Sequence, residues 1–547
     1  MQPQRVPGVL TMAPLPRTYM AMKILILYPL RCGLAVLSLV TSPCAQRSFT
    51  SPSEQGLTTS PAIERRVDSL LLLMTLEEKL GQLNQVSGTW DTVSRRMELT
   101  PIDQRLLREG RVGSILNVIG AEATRRIQRT ALEETRLKIP VLFGLDVIHG
   151  YRTIFPIPLG EAATFDPDLI EQATRVAAVE ATAAGIHWTF APMVDIARDP
   201  RWGRIAEGSG EDPYVGSLLA AARVRGFQGR TFGDRTSLMA CAKHYAAYGG
   251  AEGGRDYNTV DVSERTLREV YLPPFHSAVK AGAGTLMAAF NEVGGVPSSA
   301  NPLLLTDVLR KEWGFQGFVV SDWTSVAEVS VHGFAEDREH AGIMALTAGV
   351  DMDMESRIYV DELRSAVGGG RLSMVVVNDA VRRVLRVKFL KGLFEDPYRG
   401  VSVEQERSAA LTEAHRTLAR RVAQRSIVLL KNDGGLLPLR KDLGTVAVLG
   451  PLASSTTHPL GCWDARGDSS DVVSLLDGVR RAVGQRTKIL TAHGCGIDDM
   501  STAGFAEARE LATRADAVIL ALGEARSMSG EASNRSSLEL PGVQQQF

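Results

Sequence analysis

Cysteine is scarce in this sequence, with five residues among 547. So few cysteines cannot supply a disulfide framework, and a chain of this length has ample material for large hydrophobic cores instead. Cys241 lies in an apolar run and is predicted to be a buried thiol. Cys462 and Cys495 are candidates for a disulfide in an exported protein, although their spacing alone does not establish one.

An excess of basic residues is also absent, because 61 Lys and Arg oppose 62 Asp and Glu, for a formal net charge of -1. A nucleic-acid partner would favour a clustered positive charge, so this balance gives such a partner no support. The sequence has no internal repeat and no low-complexity tract. With 44% hydrophobic residues, its composition is that of a globular chain of two or three domains.

The sequence also lacks a long apolar run that is free of charge near its start. The stretch Ile24–Val40 is mostly apolar but contains Arg31, which argues against a membrane-spanning helix. This stretch follows a short basic start and precedes Thr41–Gln46, TSPCAQ, which offers a cleavage site after Ala45. Residues 1–45 are therefore predicted to be a signal peptide or leader, and the mature protein is predicted to be periplasmic or secreted.

Apolar, β-branched runs alternate with amphipathic helical patterns between 60 and 395, as in proteins with parallel sheets. Eight such units in about 300 residues favour a closed (β/α)8 TIM-like barrel over an open, doubly wound sheet. The candidate strands are Gln82–Val86, Val112–Asn117, Val141–Val147, His187–Asp195, Leu238–Tyr245, Thr285–Asn291, Phe318–Trp323 and Val350–Met354.

Polar side chains recur where these candidate strands end. In Gly317–Trp323, GFVVSDW, a run typical of a buried strand ends at Asp322, which by itself is more readily explained as a helix N-cap. In a barrel, however, the carboxyl ends of the strands share one face, where catalytic groups are placed. A common pocket is the better explanation for six such positions, which are Asp146, Asp195, Lys243-His244, Asn291-Glu292, Asp322 and Asp353.

A second α/β pattern follows a charged linker and a helix at 396–425. We predict that residues 426–547 form an α/β sandwich domain. Because the pattern stops soon after its fourth strand, we expect this domain to be truncated. Its candidate strands are Ile427–Leu430, Val446–Leu449, Lys488–Leu490 and Ala517–Leu522.

A pocket of carboxylates, a Lys-His pair and tryptophans suits carbohydrate chemistry, because sugars offer hydroxyls to charged groups and C–H faces to aromatic rings. Hydrolysis of a glycosidic bond needs two carboxyl groups beside the anomeric carbon, and Asp322 can supply one. The second comes from the barrel or from the loop Gly523–Arg535, in which Glu524 and Glu531 are equally well explained as solvated charges. This chemistry requires neither a metal nor an organic cofactor.

Several motifs resemble those of glycoside hydrolase family 3, in particular the bacterial periplasmic β-glucosidases. VLRKEWGFQGFVVSDWTS (Val308–Ser325) is similar to the active-site signature of that family. The resemblance extends from about Ile63 to Phe547, and so many matches in the right order make it specific. Further matching stretches are MTLEEKLGQL (Met74–Leu83), GLDVIHGYRTIFPIPLG (Gly144–Gly160), DPRWGRIAEGSGEDPYVG (Asp199–Gly216), KHYAAYGGAEGGRDYNT (Lys243–Thr259) and LLPL (Leu436–Leu439).

The resemblance implies two catalytic residues. Asp322 matches the nucleophile of the family, and Glu531, in GEAS, is the better match for the acid/base, with Glu524 in reserve. The loop after Lys243-His244 reads YAAYGG and lacks the second histidine found in the N-acetylglucosaminidases of this family. This difference favours chemistry by two carboxylates.

The resemblance also implies the residues that bind the sugar. Those that match ligands of the sugar at the non-reducing end are Asp146, Arg204, Lys243, His244 and Asp256. Trp323 matches a stacking residue beside the nucleophile, and Trp463 resembles an aromatic residue that grips the leaving-group sugar. A structural salt bridge with Glu207 or Glu211 is the alternative explanation for Arg204.

The implied activity is that of an exo-acting, retaining β-glycosidase. It would release terminal β-D-glucose from the non-reducing ends of oligosaccharides and from β-glucosides in carbohydrate catabolism. A β-xylosidase or an enzyme of mixed specificity is an alternative with the same site. A noncatalytic glycan-binding remnant is the alternative of another class, because the second domain is expected to be truncated. The expected partner is a β-glucoside or oligosaccharide, with no nucleic acid and no membrane span.

Overall fold

The computed structural model describes residues 57–91 and 96–547. The predicted leader at 1–45 lies outside these residues. In chain order the strands are β1 (Asn84–Ser87), β2 (Thr89–Asp91), β3 (Arg96–Glu98), β4 (Ser114–Leu116), β5 (Leu142–Leu145), β6 (Trp188–Thr189), β7 (Cys241–Tyr245), β8 (Thr285–Ala288), β9 (Glu292–Val293), β10 (Val296–Pro297), β11 (Phe318–Ser321), β12 (Asp353–Met354), β13 (Thr445–Leu449), β14 (Lys488–Ala492) and β15 (Ala517–Leu520).

The α-helices alternate with these strands along the chain. They are α1 (Pro61–Leu73), α2 (Leu76–Gln82), α3 (Pro101–Arg108), α4 (Ala121–Glu133), α5 (Pro158–Ala162), α6 (Pro167–Ala183), α7 (Pro213–Gln228), α8 (Glu264–Thr266), α9 (Leu272–Lys280), α10 (Ser325–Val331), α11 (Arg338–Ala348), α12 (Ile358–Asp361), α13 (Leu363–Gly368), α14 (Met374–Leu390), α15 (Val403–Ala409), α16 (Glu413–Ser426), α17 (Leu475–Ala482) and α18 (Phe505–Thr513). Two π-helical segments, Leu267–Tyr271 and Leu303–Glu312, add to them. No helix within 57–91 or 96–547 is long and apolar enough to cross a bilayer.

Local sequence explains where several helices begin. At α2, the Thr75 hydroxyl accepts a hydrogen bond from Glu78 N at 3.3 Å, and the Glu78 carboxylate accepts one from Thr75 N at 2.9 Å. This capping box satisfies two backbone donors that the first turn would otherwise leave free. At α6, the Asp166 carboxylate accepts from Leu169 N, and Pro167 occupies the first helical position, where its missing N–H costs nothing.

The first of two α/β domains is built on parallel strands. Strands β12-β1-β4-β5-β6 form one parallel sheet, and β11-β8-β7 form another. Single parallel bridges join Trp188 to Met239 and Val320 to Met352, at the ends of these two sheets. Each of the eight candidate strands of this domain overlaps one of these parallel strands, and the two antiparallel hairpins, β2-β3 and β9-β10, were not expected.

Aromatic side chains connect the two parallel sheets through the interior. The Trp188 ring of β6 packs edge-on against Phe318 of β11, with 5.1 Å between the ring centroids. The indole N–H of Trp188 donates to Thr285 Oγ1 of β8 at 2.8 Å, so the polar atom of a fully buried ring is satisfied. The strands of both sheets therefore share one hydrophobic core.

The second domain contains one described parallel sheet, in the order β14-β13-β15, with α18 packed against β13 and β14. The prediction of a strand at Ile427–Leu430 is wrong. This segment has no strand partner among the described residues, and its side chains are 60–92% exposed. Apolar, β-branched residues favour a strand, but a strand also needs a neighbour to satisfy its backbone groups, and sequence pattern does not supply one.

A buried carboxylate ties the first domain to the segment that leads into the second. Glu180 of α6 accepts hydrogen bonds from Thr153 N at 2.8 Å and from Leu411 N at 3.1 Å. His415 Nδ1, on α16, lies 2.8 Å from the same carboxylate. Because Leu411 and His415 both bind this buried carboxylate, they hold the start of α16 against the first domain, and α16 leads into the second domain.

Candidate active site

A cavity of about 800 Å³ lies between the ends of the parallel strands and loops of the second domain. Seven of the nine predicted site residues line it. They are Asp146, Arg204, Lys243, Asp322, Trp323, Trp463 and Glu531.

Asp322 lies directly after β11 and is 8% exposed. Its Oδ1 accepts a hydrogen bond from Trp323 N at 2.7 Å. Asp322 does not cap α10, since the N-cap position is Thr324 and no side chain caps that helix. Burial raises the pKa of Asp322 to about 7, although the charges of Arg204 and Lys243 lower it and that of Glu531 raises it further.

Two cations stand near Asp322, each paired with a carboxylate. Lys243 Nζ, from the middle of β7, lies 2.7 Å from Oδ1 of Asp146, which follows β5. Arg204 makes a bidentate pair with Glu207, with N–O distances of 2.8 and 3.1 Å. Burial lowers the pKa of Lys243, but the charges of Asp146 and Glu207 outweigh it and raise that pKa above its ordinary value. Both cations therefore remain charged in a buried site.

His244 lies behind Asp322 rather than on the cavity wall. Its Nδ1 is 2.9 Å from Asp195 Oδ2, and its Nε2 is 3.6 Å from Asp322 Oδ2. Burial, together with Arg204 and Lys243, holds the pKa of His244 well below its ordinary value, so the imidazole is neutral near pH 7. The ring connects two buried carboxyl groups, and burial also raises the pKa of Asp195, to about 7.

The second domain contributes Trp463 and Glu531 to the cavity. Lys243 Nζ lies 5.5 Å from the centre of the Trp463 ring, within the range of a cation–π contact. Glu531 Oε1 accepts a hydrogen bond from Tyr257 Oη at 2.6 Å and lies 3.3 Å from Arg204 Nη1. Arg204 therefore forms the salt bridge with Glu207 that was the alternative explanation for this residue, and it also contacts Glu531 in the cavity.

Backbone contacts attach the loop of Glu531 to the first domain. Gly530 N donates to Gly203 O at 2.7 Å, and Ala532 N donates to Asp256 Oδ2 at 2.9 Å. A Cβ atom at Gly203 would lie 2.4 Å from Gly530 O, so only glycine allows this approach. The residues on both sides of Glu531 are therefore held by the first domain.

Asp256, predicted as a sugar ligand, has both oxygens engaged elsewhere. Its Oδ1 accepts from Trp202 Nε1 at 2.9 Å, its Oδ2 accepts from Ala532 N, and the residue does not line the cavity. Glu524, the reserve acid, also lies away from the cavity lining and pairs with Arg535 at 3.1 Å. Sequence resemblance cannot distinguish a residue that touches sugar from one that holds a neighbouring loop.

Several residues of the site did not emerge from the sequence as site residues. Tyr257 follows the predicted Asp256 directly, so its place in the same motif could have identified it. Glu328 and His332 lie one and two turns into the segment after Asp322, where only their spacing from the nucleophile motif was available as a signal. Others that line the cavity are Asn117, Phe190, Met287 and Phe290.

Among residues 57–91 and 96–547, neither a disulfide nor a metal-binding cluster accompanies this site. Cys241, Cys462 and Cys495 are free thiols, so the candidate pair Cys462–Cys495 is not formed. Among the described residues, no group of three or more His, Cys, Asp or Glu side chains is arranged to hold a metal ion.

These observations define an α/β protein of two domains with a pocket lined by carboxyl groups of both domains, Asp146, Asp322 and Glu328 from the first and Glu531 from the second. The chain belongs to glycoside hydrolase family 3: residues 75–387 match the N-terminal domain of the glycosyl hydrolase family 3, and residues 427–547 match its C-terminal domain.

Individual relatives include β-glucosidases and β-xylosidases. The chain is 40% identical over 509 residues to a periplasmic beta-glucosidase of Salmonella typhimurium, covering 89% of this chain and 66% of that protein. It is 34% identical to a beta-xylosidase of Formosa agariphila, covering 89% of this chain and 64% of that protein. The chain thus spans about two thirds of the length of these curated relatives.

A solved structure of a β-glucosidase from Listeria innocua in complex with glucose is also similar. It superposes with a TM-score of 0.83 at 38% sequence identity, covering 88% of this chain and 67% of that chain.

Proposed function

We propose that the protein is an exo-acting, retaining β-glycosidase that releases terminal β-D-glucose from the non-reducing ends of oligosaccharides and from β-glucosides. The observation that carries this proposal is the meeting of Asp322 and Glu531 at one cavity, close enough for the charge of Glu531 to raise the pKa of Asp322. Retaining glycosidases need such a pair of carboxyl groups, one as nucleophile and one as acid and base.

The fold part of the proposal is a closed (β/α)8 barrel at 60–395, followed by the linker and helix at 396–425 and an α/β sandwich at 426–547. The parallel bridges Trp188–Met239 and Val320–Met352 support closure, because each lies between the outer strands of the two parallel sheets. Closure brings the ends of β5, β7 and β11 to one face, which accounts for the proximity of their polar residues.

In the first half of the reaction, Asp322 attacks the anomeric carbon of the terminal sugar while Glu531 gives a proton to the departing oxygen. The bond from the anomeric carbon to that oxygen breaks, and a covalent glycosyl ester with Asp322 forms. Asp322 must be ionised for this attack. Lys243 and Arg204 favour its ionised form and so oppose the effect of burial.

In the second half, Glu531 removes a proton from water, which attacks the anomeric carbon and releases Asp322. Two inversions retain the β configuration. Tyr257 Oη and Arg204 Nη1 contact the Glu531 carboxylate and so hold it at the cavity for this step. In the first half, Glu531 carries the proton that it gives to the departing oxygen.

The terminal sugar is held by the charged residues of the deep part of the cavity. Lys243, Asp146 and Arg204 offer donors and acceptors to its hydroxyls, and Trp323 stacks beside it. His244 acts on Asp322 from behind, and Asp256 acts through the Glu531 loop, so we assign positioning roles to these two. Buried, charge-assisted hydrogen bonds of this kind contribute most when they strengthen in the transition state.

Glucose is favoured over xylose as the released sugar by the names of the more similar relatives. The Salmonella β-glucosidase is 40% identical and the Formosa β-xylosidase 34%, over similar stretches. The Salmonella relative is also named as periplasmic, which supports the proposed periplasmic or secreted location.

The test is hydrolysis of a panel of p-nitrophenyl glycosides, with Asp322→Asn as the inactive control. We expect turnover of the β-glucoside to exceed that of the β-xyloside, and NMR to detect β-glucose as the first product. Release of α-glucose first would refute retention, and a preference for the xyloside would favour the β-xylosidase alternative. Glucoside binding without turnover would favour a glycan-binding remnant.

A second measurement tests the exo mode. Cellobiose and laminaribiose should be cleaved to glucose, while the viscosity of a long β-glucan should fall only slowly. A rapid fall in viscosity would indicate cleavage of internal bonds.

A further inference from the structure

One wall of the cavity is formed by the helix that follows the proposed nucleophile. Thr324, Glu328 and Val331, on and just before α10, line the cavity together with Asp322 and Trp323. Asp322, at one end of this wall, is 8% exposed, and Val331, at the end of α10, is 82% exposed. Glu328 is half-buried and lies in the chain between the buried Asp322 and the exposed Val331.

The carboxylate of Glu328 makes few hydrogen bonds within the protein. Within the described part of the chain, its hydrogen bonding consists of one long contact, 3.5 Å from Thr324 Oγ1, and it has no ion pair. Burial raises the pKa of Glu328, and His332 and Thr324 only oppose this effect. A carboxylate has about four acceptor sites, so most of those of Glu328 remain open toward the cavity.

The neighbouring polar side chain on this wall is already engaged. His332 Nε2 lies 3.3 Å from Phe290 O, and its Nδ1 lies 3.6 Å from Glu292 Oε2. Glu292 in turn accepts a hydrogen bond from Thr259 Oγ1 at 2.8 Å. Glu328 is thus the acceptor on this wall whose capacity is left for a ligand.

Lys243 and Arg204, proposed to hold the terminal sugar, are 3% and 1% exposed, whereas Glu328 is only half-buried and lies on α10, whose last residue, Val331, is exposed. Glu328 lies one helical turn beyond Thr324, about 5–6 Å along the axis of α10. The next sugar along the chain would occupy this outer part of the cavity. Its hydroxyls would face an open carboxylate, whereas an aryl leaving group has no hydroxyl to offer.

We propose that Glu328 is a specificity-determining residue that accepts hydrogen bonds from hydroxyls of the leaving-group sugar and so favours saccharides over aryl glucosides. This inference rests on the proposed function, since it assumes that a terminal glucosyl unit occupies the deep part of the cavity. The class of ligand is a neutral, hydroxyl-rich sugar.

The test compares Glu328→Gln and Glu328→Ala with the wild type on two kinds of substrate. For cellobiose and laminaribiose, we expect kcat/KM of Glu328→Ala to fall about 10- to 100-fold, as for loss of a hydrogen bond to a charged group. For p-nitrophenyl β-glucoside the change should be below about threefold, because no such bond is lost. Glu328→Gln should lie between wild type and Glu328→Ala on the disaccharides.

Glu336→Ala is the matched control. This glutamate is exposed, lies a few residues beyond α10 and does not line the cavity, so its loss should change neither activity. The activity of each variant on the aryl glucoside also reports folding, so a variant that does not fold is recognised by loss of both activities. If Glu328→Ala does not fold, the milder Glu328→Gln tests the inference.

A second measurement tests the same contact in transglycosylation, in which an added sugar takes the place of water as the acceptor of the glucosyl group. With p-nitrophenyl β-glucoside as donor and cellobiose as acceptor, Glu328→Ala should form less transfer product relative to hydrolysis than the wild type. Equal losses of Glu328→Gln on disaccharides and aryl glucoside, or no loss on either, would overturn the inference. If the wild type itself hydrolyses neither substrate, it is the proposed function that fails.

Discussion

The two walls of the cavity are built in different ways. On the side of the first domain, Asp322 and Asp146 follow parallel strands and Lys243 lies within one. The two cations of that wall, Lys243 and Arg204, are paired with carboxylates. On the side of the second domain, Trp463 and Glu531 lie on loops, and the Glu531 side chain is 27% exposed. Backbone φ is positive at Trp463 (57°) and at Ala532 (54°), which is uncommon for residues with a Cβ atom.

The side chains of the two walls are therefore oriented by different kinds of contact. The proposed nucleophile, Asp322, and the proposed sugar ligands Asp146 and Lys243 lie on or directly after strands of the packed first domain. The proposed acid/base, Glu531, is oriented by contacts between loops, because Gly203, Asp256 and Tyr257 hold the residues at and beside it. Changes on the first wall should therefore affect all substrates, and changes on the second should depend on the leaving group.

The largest expected effect is that of Asp322→Asn. Removing the nucleophile should lower kcat on every glucoside by about four orders of magnitude or more. Asp322→Gly should recover part of the activity on an activated aryl glucoside when azide is added, with α-glucosyl azide as the product. Labelling of a different residue by an activated 2-fluoro sugar would contradict this assignment.

The stability of Asp322→Asn provides the control for folding. Because the pKa of Asp322 is raised in the folded protein, its contribution to stability is present below its ordinary pKa and is lost as the pH rises through about 7. An uncharged amide avoids this loss, so the free energy of unfolding at pH 8 should increase, by at most about 4 kcal/mol. Denaturant titrations of wild type and variant at pH 5 and pH 8 measure the difference.

The next largest effect is that of Glu531→Ala, and it should depend on the leaving group. Cellobiose needs protonation of its leaving oxygen, so kcat/KM should fall about two to four orders of magnitude. A dinitrophenyl glucoside should lose far less in its first step, and azide should restore turnover with β-glucosyl azide as the product. Glu524→Ala is the matched control and should resemble the wild type. If Glu524→Ala shows the leaving-group pattern instead, the acid is Glu524.

The pH dependence of kcat/KM should depend on charged residues of both walls, because Lys243 and Glu531 both affect the pKa of Asp322. Since Asp322 must be ionised and its pKa lies near 7, kcat/KM of the wild type should fall about tenfold for each pH unit below that value. Glu531→Gln removes a negative charge and should move this acidic limb to lower pH, as measured with a dinitrophenyl glucoside. Lys243→Met removes a positive charge and should move it to higher pH. Identical limbs in all three proteins would show that Asp322 does not set it.

The smallest expected effects are those of Asp256→Asn and Tyr257→Phe, which loosen the Glu531 loop without removing a reacting group. An amide oxygen can accept from Trp202 or from Ala532 but not readily from both, so we expect about a tenfold loss on cellobiose, equivalent to one lost hydrogen bond. Aryl glucosides should lose less, because they depend less on the acid. Glu252→Gln, on the same exposed loop, is the control. An equal loss on both substrates would indicate that Asp256 binds the terminal sugar.

Much of the first domain could be predicted because its signals are local. Short apolar runs with a polar residue after them identified the parallel strands, and Asp322 stood out where such a run ended. The same kind of signal failed at Ile427–Leu430, where the composition favours a strand but the described residues offer no neighbouring strand. A strand forms only when a second segment pairs with it, and the local sequence pattern describes only one of the two segments.

The sequence by itself determined which residue types are available at the strand ends, the positions of those strands, and the motifs that place the chain in its family. The tertiary structure decided which of these residues share the cavity. It brought Glu531 to Arg204 and Tyr257, turned Asp256 toward the Glu531 loop and placed His244 behind Asp322. The physical reason is that strand and helix signals act over a few residues, whereas this site joins groups about 200 residues apart through the docking of two domains.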